Sequence, residues 1–479
     1  MIRKLFIAVL LVVLVSGFVL PVLAAGSPPE ARNDALEGTT GAVTDYPVAT
    51  LFEDNGTGAD DLGSPPATIK SFGGGSMGGS VGDNAAGSEA DFAGGKLKVN
   101  ANGSLEISNP TQSGLFIFIY RLSNSAGSDD ASVTVQIKDA PQARNDAYAF
   151  LYGADKVVTA ANGLFAANGH GADYLGVPMA ALTSFGDRSL GGSVTDNPAG
   201  ASVPLADGML TVNADGSWSM SGAPFAPGDY QFRYRLENSV GRSNGLVSFS
   251  IQAKPIANDD DLGADLDQAN NYPAGALFAD NGSGADELGY PQAPLSRFGG
   301  GSLGGAVTDN AAGSTVAFAG GNLTVEADGS MAISNPTTAG THTFNYRLSN
   351  AAGTSDATVT VVVARNPVAK DDAYTFLNKA DQNQNAAGGL FADNGSGADI
   401  LGDPTAELFR FGGGSLGGNV TSHVAGDSAP LAGGTLTVNA DGSWSLTGKP
   451  FDHGSYSFDY RLQNSGGTSD ATVSFTIQA

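Results

Sequence analysis

The chain has 479 residues, with 48 acidic side chains against 23 basic ones, a formal charge of −25, and no cysteine. Such a balance repels nucleic acid and anionic lipid and attracts cations, and the missing thiols exclude a disulfide framework and thiol catalysis. Only 15% of the residues are charged, and the acidic ones gather in turns rich in Gly and Asn, which points to ligand loops more than to a solvating tail.

At the N-terminus, Arg3 and Lys4 precede an unbroken apolar run from Leu5 to Val15, and Val22-Leu23-Ala24 follows as a small-residue cleavage pattern. Residues 1–24 therefore predict a secretory signal peptide. The expected protein is secreted or displayed at the cell surface, with no membrane insertion after cleavage. Leu5 to Leu23 is also nearly long enough to span a bilayer, so a retained N-terminal anchor is the alternative. Removing the segment leaves 21 basic against 48 acidic residues, a net −27.

Beyond residue 30 one offset recurs. Adding 226 takes Phe72 to Phe298, Asn109 to Asn335, Trp218 to Trp444 and Tyr234 to Tyr460, with no gap. Within each half the text repeats again, Ala31, Ala143, Ala257 and Ala369 opening four units at spacings of 112, 114 and 112 residues. Solenoid repeats run to only ~20–50 residues and cannot bury a core alone, whereas these units have the size of independent domains. The predicted division is 28–139, 140–253, 254–365 and 366–479.

Each unit reads as short strands between Gly, Asn, Asp and Pro turns, with no long stretch at helical spacing, and this predicts an all-β sandwich. Two hairpins stand out. In Gly433–Leu446, Leu436 and Val438 alternate with polar residues before Asp441-Gly442, and Trp444 and Leu446 alternate after it; the Asp-Gly pair suits the positive φ of a tight turn. At the end of the unit Phe458, Tyr460 and Leu462 share one face, Asp459 and Arg461 the other, and Val473, Phe475 and Ile477 continue the pattern after a Gly-Gly turn. Tyr120-Arg121-Leu122, Tyr234-Arg235-Leu236 and Tyr346-Arg347-Leu348 mark the same strand in the other units. Short linkers, with Pro141, Pro255 and Pro367 before the next unit, predict semi-rigid junctions.

The order of an Asn-Asp or Asp-Asp opening, an acidic loop, a Gly-rich strand, Leu-Thr-Val-Asn-Ala-Asp-Gly-Ser-Trp, Tyr-x-Phe-x-Tyr-Arg-Leu and a closing Thr-Ser-Asp-Ala-Thr-Val strand resembles the bacterial cadherin-like, VCBS-type and tandem-95 Ig-like repeats of exported, adhesin-type surface proteins. The resemblance covers residues 28–479. It implies four tandem Ig-like/cadherin-like Greek-key β-sandwich domains in a beads-on-a-string rod, calcium at loops between domains, and a role in adhesion, biofilm matrix or contact with extracellular polysaccharide.

The first candidate site is the acidic loop Asp54-Asn55-Gly56-Thr57-Gly58-Ala59-Asp60, repeated at Asp280–Asp286 and Asp393–Asp399. Calcium takes ~6–8 oxygen ligands, and Gly alternating with Asp and Asn lets carboxylates and carbonyls converge. Asp54, Asp60, Asp280, Asp286, Asp393 and Asp399 are thus candidate calcium ligands. Repeat two has Ala167 at the first position and keeps only Asp173, so weak binding or none is expected there. The second candidate is the set of opening acids, Asp34, Asp146, Asp260 and Asp372, which in the resembled family bridge domains through calcium, with further ligands supplied by neighbouring loops.

Other motifs carry less. Trp218 and Trp444 have Leu105 and Met331 at the equivalent positions, which marks a packing slot, and Phe225 and Phe451 read as core plugs at a strand edge. Phe72-Gly73-Gly74-Gly75-Ser76 lacks the Lys-Ser/Thr that grips phosphate. Arg121, Arg235, Arg347 and Arg461 lie opposite the apolar face, where pairing with a cross-strand acid is expected. His170, His342, His423 and His453 have no counterparts between repeats, and no Ser-His-Asp grouping forms within a unit, so no enzymatic activity is expected. The expectation is a calcium-rigidified adhesive or spacer array, whose partner is a surface or matrix protein or an extracellular polysaccharide. A carbohydrate-binding array and a structural surface-layer protein without calcium are the alternatives.

Overall fold

A computed structural model describes residues 26–479; residues 1–24, expected from the sequence to be a signal peptide, lie outside the described residues. In the first repeat the strands are β1 (Asp34–Thr39), β2 (Val43–Tyr46), β3 (Thr68–Gly73), β4 (Asn84–Ala85), β5 (Glu89–Phe92), β6 (Gly95–Val99), β7 (Leu105–Ser108), β8 (Gly114–Asn124) and β9 (Gly127–Lys138). They form a five-stranded sheet, β1-β9-β8-β3-β4, and a four-stranded sheet, β2-β7-β6-β5. The same two orders recur in the strands spanning 146–252, 260–364 and 372–478. The protein is all-β, with four tandem Ig-like sandwiches.

Strand alternation explains each core. Along β8 the even positions Phe118, Tyr120 and Leu122 are buried, and β9 contributes Val133, Val135 and Ile137. Leu97, Val99, Leu105 and Ile107 of the other sheet close over them. Burying a side chain of this size contributes roughly 1.5–3 kcal/mol, so a repeat with some eighteen buried apolar residues folds without a disulfide. The opening strand β1 runs parallel to the closing strand β9, Asp34 facing Val133, while the remaining pairs are antiparallel.

Both predicted hairpins form, with different turns. Gly434–Val438 pairs with Trp444–Thr447, and the Asn439 amide donates to the Ser443 carbonyl. This leaves a three-residue loop, Ala440 to Gly442, in which Gly442 alone takes positive φ, 76°, and the Asn439 carbonyl accepts from the Gly442 N–H. This is a type I turn followed by a glycine bulge. Asp441 instead accepts from the Ser443 amide, 3.0 Å. In the closing hairpin Asn464 faces Gly467, so Ser465 and Gly466 form the turn. Asn464 Oδ1 accepts from the amides of Gly466 and Gly467.

The packing readings hold in detail. Trp218 and Trp444 are each 1% exposed, and Phe225 and Phe451 are buried with them. Arg121, Arg347 and Arg461 make two-pronged pairs, 2.6–2.7 Å, with Asp130, Asp356 and Asp470 directly across the ladder. Repeat two has Asn244 there, and Arg235 donates to its amide oxygen at 3.1 Å. The glycine stretch crosses β8 at close range: a Cβ on Gly75 would stand 2.5 Å from the Ile117 carbonyl, and Ser76 Oγ accepts from the Ile117 N–H.

The junctions contain no slack. β9 ends at Lys138, and the next residue, Asp139, already exchanges two backbone hydrogen bonds with Val177 of the second repeat, 2.7 and 3.1 Å. Asn238, at a hairpin tip of that repeat, donates to the Asp139 carbonyl. Ala253 is held in the same way by Tyr290 and Asn350, and Arg365 by Asp403 and Asn464.

Candidate functional site

The segment before β1 and the acidic loop are zipped together in every repeat: isolated bridges join Glu30 to Asp61 and Asp34 to Gly56, and recur at Gln142–Tyr174, Ile256–Glu287 and Val368–Ile400. This brings one residue from each of the two candidate sets into a common pocket. The opening pair divides its work. Asn33 Oδ1 accepts from the Ser132 amide, as Asp259 does from Thr358 and Asp371 from Thr472. The following residue, Asp34, turns into the interior at 4% exposure; Asp146, Asp260 and Asp372 are at 2–3%.

Asp60, at the end of the loop, has one carboxylate oxygen on the Arg32 amide, 2.6 Å, and receives the Tyr120 hydroxyl on the other, 2.7 Å. The carbonyl oxygens of Arg32 and Leu51 stand 3.1 Å from the same hydroxyl. Asp34 Oδ2 is buried there with no hydrogen-bond partner, and so are its counterparts in Asp146, Asp260 and Asp372. The pocket is an oxygen-rich chamber with two carboxyl groups, a phenol and two carbonyls, all from a single repeat. The loop amide Asn55 clips the chamber to the short turn Thr50–Phe52 by donating to the Thr50 carbonyl; Asn168, Asn281 and Asn394 do the same.

Repeat two carries the whole arrangement despite Ala167: Tyr234 donates to Asp173 at 2.7 Å, and Asp146 is buried beside it. Repeats three and four match, through Tyr346–Asp286 and Tyr460–Asp399. Asp54, Asp280 and Asp393 are exposed. Asp54 accepts from the Gly58 amide, 3.0 Å, which is turn chemistry. Among the described residues no three His, Cys, Asp or Glu side chains stand close enough together to hold a metal ion.

Electrostatics follow from the burial. Asp34 is pushed up to about 7, first by its burial and then by the negative charge of Asp60. Asp146 reaches about 8, and Asp260 and Asp372 about 7. Burial also raises Asp60, Asp173, Asp286 and Asp399, against the backbone amide that each accepts. The four tyrosines are driven well above the ordinary phenol range by burial and the neighbouring carboxylates. Their hydroxyls therefore stay protonated and can donate to the neighbouring carboxylates.

The tyrosines and the loop asparagines were not recognised as site residues in the sequence. A signal existed: the inward positions of this strand are otherwise Phe and Leu, and a phenol invariant at one buried position requires a polar partner.

The fold and the fourfold pocket define a tandem Ig-like repeat protein. Residues 365–476 match the family model of the bacterial Ig domain. Among solved structures the chain is similar to extracellular domains 3–5 of Drosophila OTK, at 12% identity and TM-score 0.34, over 71% of this chain and 96% of that one. It is also similar to the insect immune protein hemolin (11%, TM-score 0.26, 94% and 99%) and to the N-terminal four Ig domains of Dscam1 (12%, TM-score 0.24, 95% and 100%). No curated protein matches the chain.

Proposed function

We propose that the protein is an exported, non-enzymatic adhesion or spacer protein of the cell surface, whose repeats each take up one calcium ion in the Asp34–Asp60 chamber and its three counterparts. The observation that carries this reading is the unpartnered, buried Asp34 Oδ2, repeated in four copies. A buried carboxylate without a partner is costly, and a hard cation among all-oxygen donors removes that cost. Asp34 and Asp60 with the Arg32 and Leu51 carbonyls would hold the ion, water completing its shell. The ion would neutralise both carboxyls and lock the entry segment to the loop. Export rests on residues 1–24, and a surface location on the matched bacterial Ig domain.

Calorimetry with calcium titrated against a chelator tests it. Calcium should raise the melting temperature, and the quadruple Asp34→Asn, Asp146→Asn, Asp260→Asn, Asp372→Asn variant should lose that response. An unchanged melting temperature in the native chain sinks the calcium reading.

Polysaccharide binding has one place that favours it. A groove of about 500 Å³ between repeats two and three is lined by Leu151, Tyr152, Pro227 and Ile256 and edged by Gln252, Lys254 and Glu287, an aromatic and polar mixture suited to sugar rings. Glycan-array binding in chelator that a Tyr152→Ala variant abolishes would favour this second reading.

A further inference from the structure

The four repeats serve as controls for one another, and one face departs from the common plan. The outward side of β8 presents Leu115 at 61% exposure, Ile117 at 37% and Ile119 part-buried beside it. Repeat three has Thr341, Thr343 and Asn345 at these ladder positions. Repeats two and four have Asp229, Gln231 and Arg233, and Ser455, Ser457 and Asp459. Nine polar residues in three copies of one sheet show that the fold does not require apolar side chains there. The stripe is a property of the first repeat alone.

Its immediate neighbours on β9 are uncharged. Beside it on β9 stand Gln136, Thr134 and Ser132, and Ile119 packs against Gly74, where a Cβ would lie 3.3 Å away. The charged residues on the outward face of β1, β9 and β8 form two ion pairs, Arg121 with Asp130 and Lys138 with Glu37, one at each end of the stripe. Residues 28–139 carry 15 acidic and 6 basic side chains, a net −9, so most of this repeat repels a like-charged surface. A second copy brought against the β8 face would meet paired charges there, with both signs at each end of the stripe.

We infer that the outward β8 face of the first repeat is a self-association surface, on which a second copy of this chain docks its own Leu115–Ile117–Ile119 stripe in an isologous contact. The inference rests on the adhesive part of the reading above and needs no calcium. A patch one strand wide gives a weak dimer, on the order of 10 µM to 1 mM, which surface display strengthens through multivalency.

The triple variant Leu115→Thr, Ile117→Thr, Ile119→Asn copies repeat three, so it preserves a sheet that already folds. Sedimentation of the full chain in chelator should show a concentration-dependent dimer that tightens as salt screens the acidic surfaces. The triple variant should associate at least about tenfold more weakly. Because the chain has no cysteine, Ile117→Cys should yield an oxidised covalent dimer, and Thr343→Cys, at the matching position of repeat three, should not. Equal association of native and triple-variant chains overturns the inference, as does a native chain that stays monomeric while Ile117→Cys fails to cross-link. If calcium still raises the melting temperature in that case, only the docking surface is wrong. A dimer without any calcium response leaves the surface standing and removes the cation.

Discussion

At the scale of the residue, the chamber behaves as a proton site when no cation is present. Asp34 is held at about 7 in the folded chain, whereas an unfolded Asp titrates near ~3.9. The folded state therefore binds this proton more tightly, and the stability it lends is fully present below about pH 4 and is lost as pH rises through about 7. Asp146, at about 8, extends the window slightly. In chelator, denaturation between pH 5 and 9 should show stability falling by on the order of 1–4 kcal/mol per repeat. The Asp34→Asn, Asp146→Asn, Asp260→Asn, Asp372→Asn chain should flatten that slope, since an amide keeps the volume and does not titrate. A slope equally steep in the variant would place the titration elsewhere.

At the scale of the element, two versions of the sandwich share one topology. Even repeats pack Trp218 against Tyr148, Phe150, Phe232 and Phe249, and Trp444 against Tyr374, Phe376 and Phe475. Odd repeats have Leu105 and Met331 in the slot, with Leu36 and Gly38 where the second repeat has Tyr148 and Phe150. The slot and its surroundings changed together. Trp444→Leu should accordingly cost about 2–4 kcal/mol through the cavity it leaves, although Leu is native at that position in repeat one. Chemical denaturation that finds less than about 1 kcal/mol would mean that the core collapses freely around the smaller side chain.

At the scale of the whole molecule, stiffness begins with covalent economy. The last ladder residue of one repeat and the first bridge of the next are neighbours in sequence, Lys138 and Asp139, so no freely rotating residue separates the sandwiches. Inserting Gly-Gly-Ser-Gly after Lys138 should broaden the distance distribution in small-angle scattering and leave the melting temperatures of the repeats nearly unchanged, because surface loop insertions cost little. An unaltered distribution would show that side-chain contacts, and not the backbone stitch, hold the junction.

The fold was legible because period-2 alternation and Gly-Asn-Asp turns act locally, and four copies of the pattern reinforce one another. Phe458, Tyr460 and Leu462 fall on the buried face as read, and the arginines find their acids across the ladder. Half of the site was legible as well. Asp34 and Asp60 could each be singled out as an acid in a turn, but their meeting depends on the bridge of Asp34 to Gly56, a contact between distant segments that no local pattern encodes.

By itself, then, the sequence determined what short-range physics controls: an acidic array without disulfides, four sandwich domains, and the strands and hairpins within each. Only the tertiary structure decided which acids are chemically unusual. Burial cannot be read from a turn motif, and so Asp54, prominent in the sequence, lies in solvent, while Asp34 lies unpartnered beside a tyrosine that had looked like a strand marker. The structure also separated the first repeat from its copies, because it shows how far Leu115 and Ile117 are exposed on the outward side of β8.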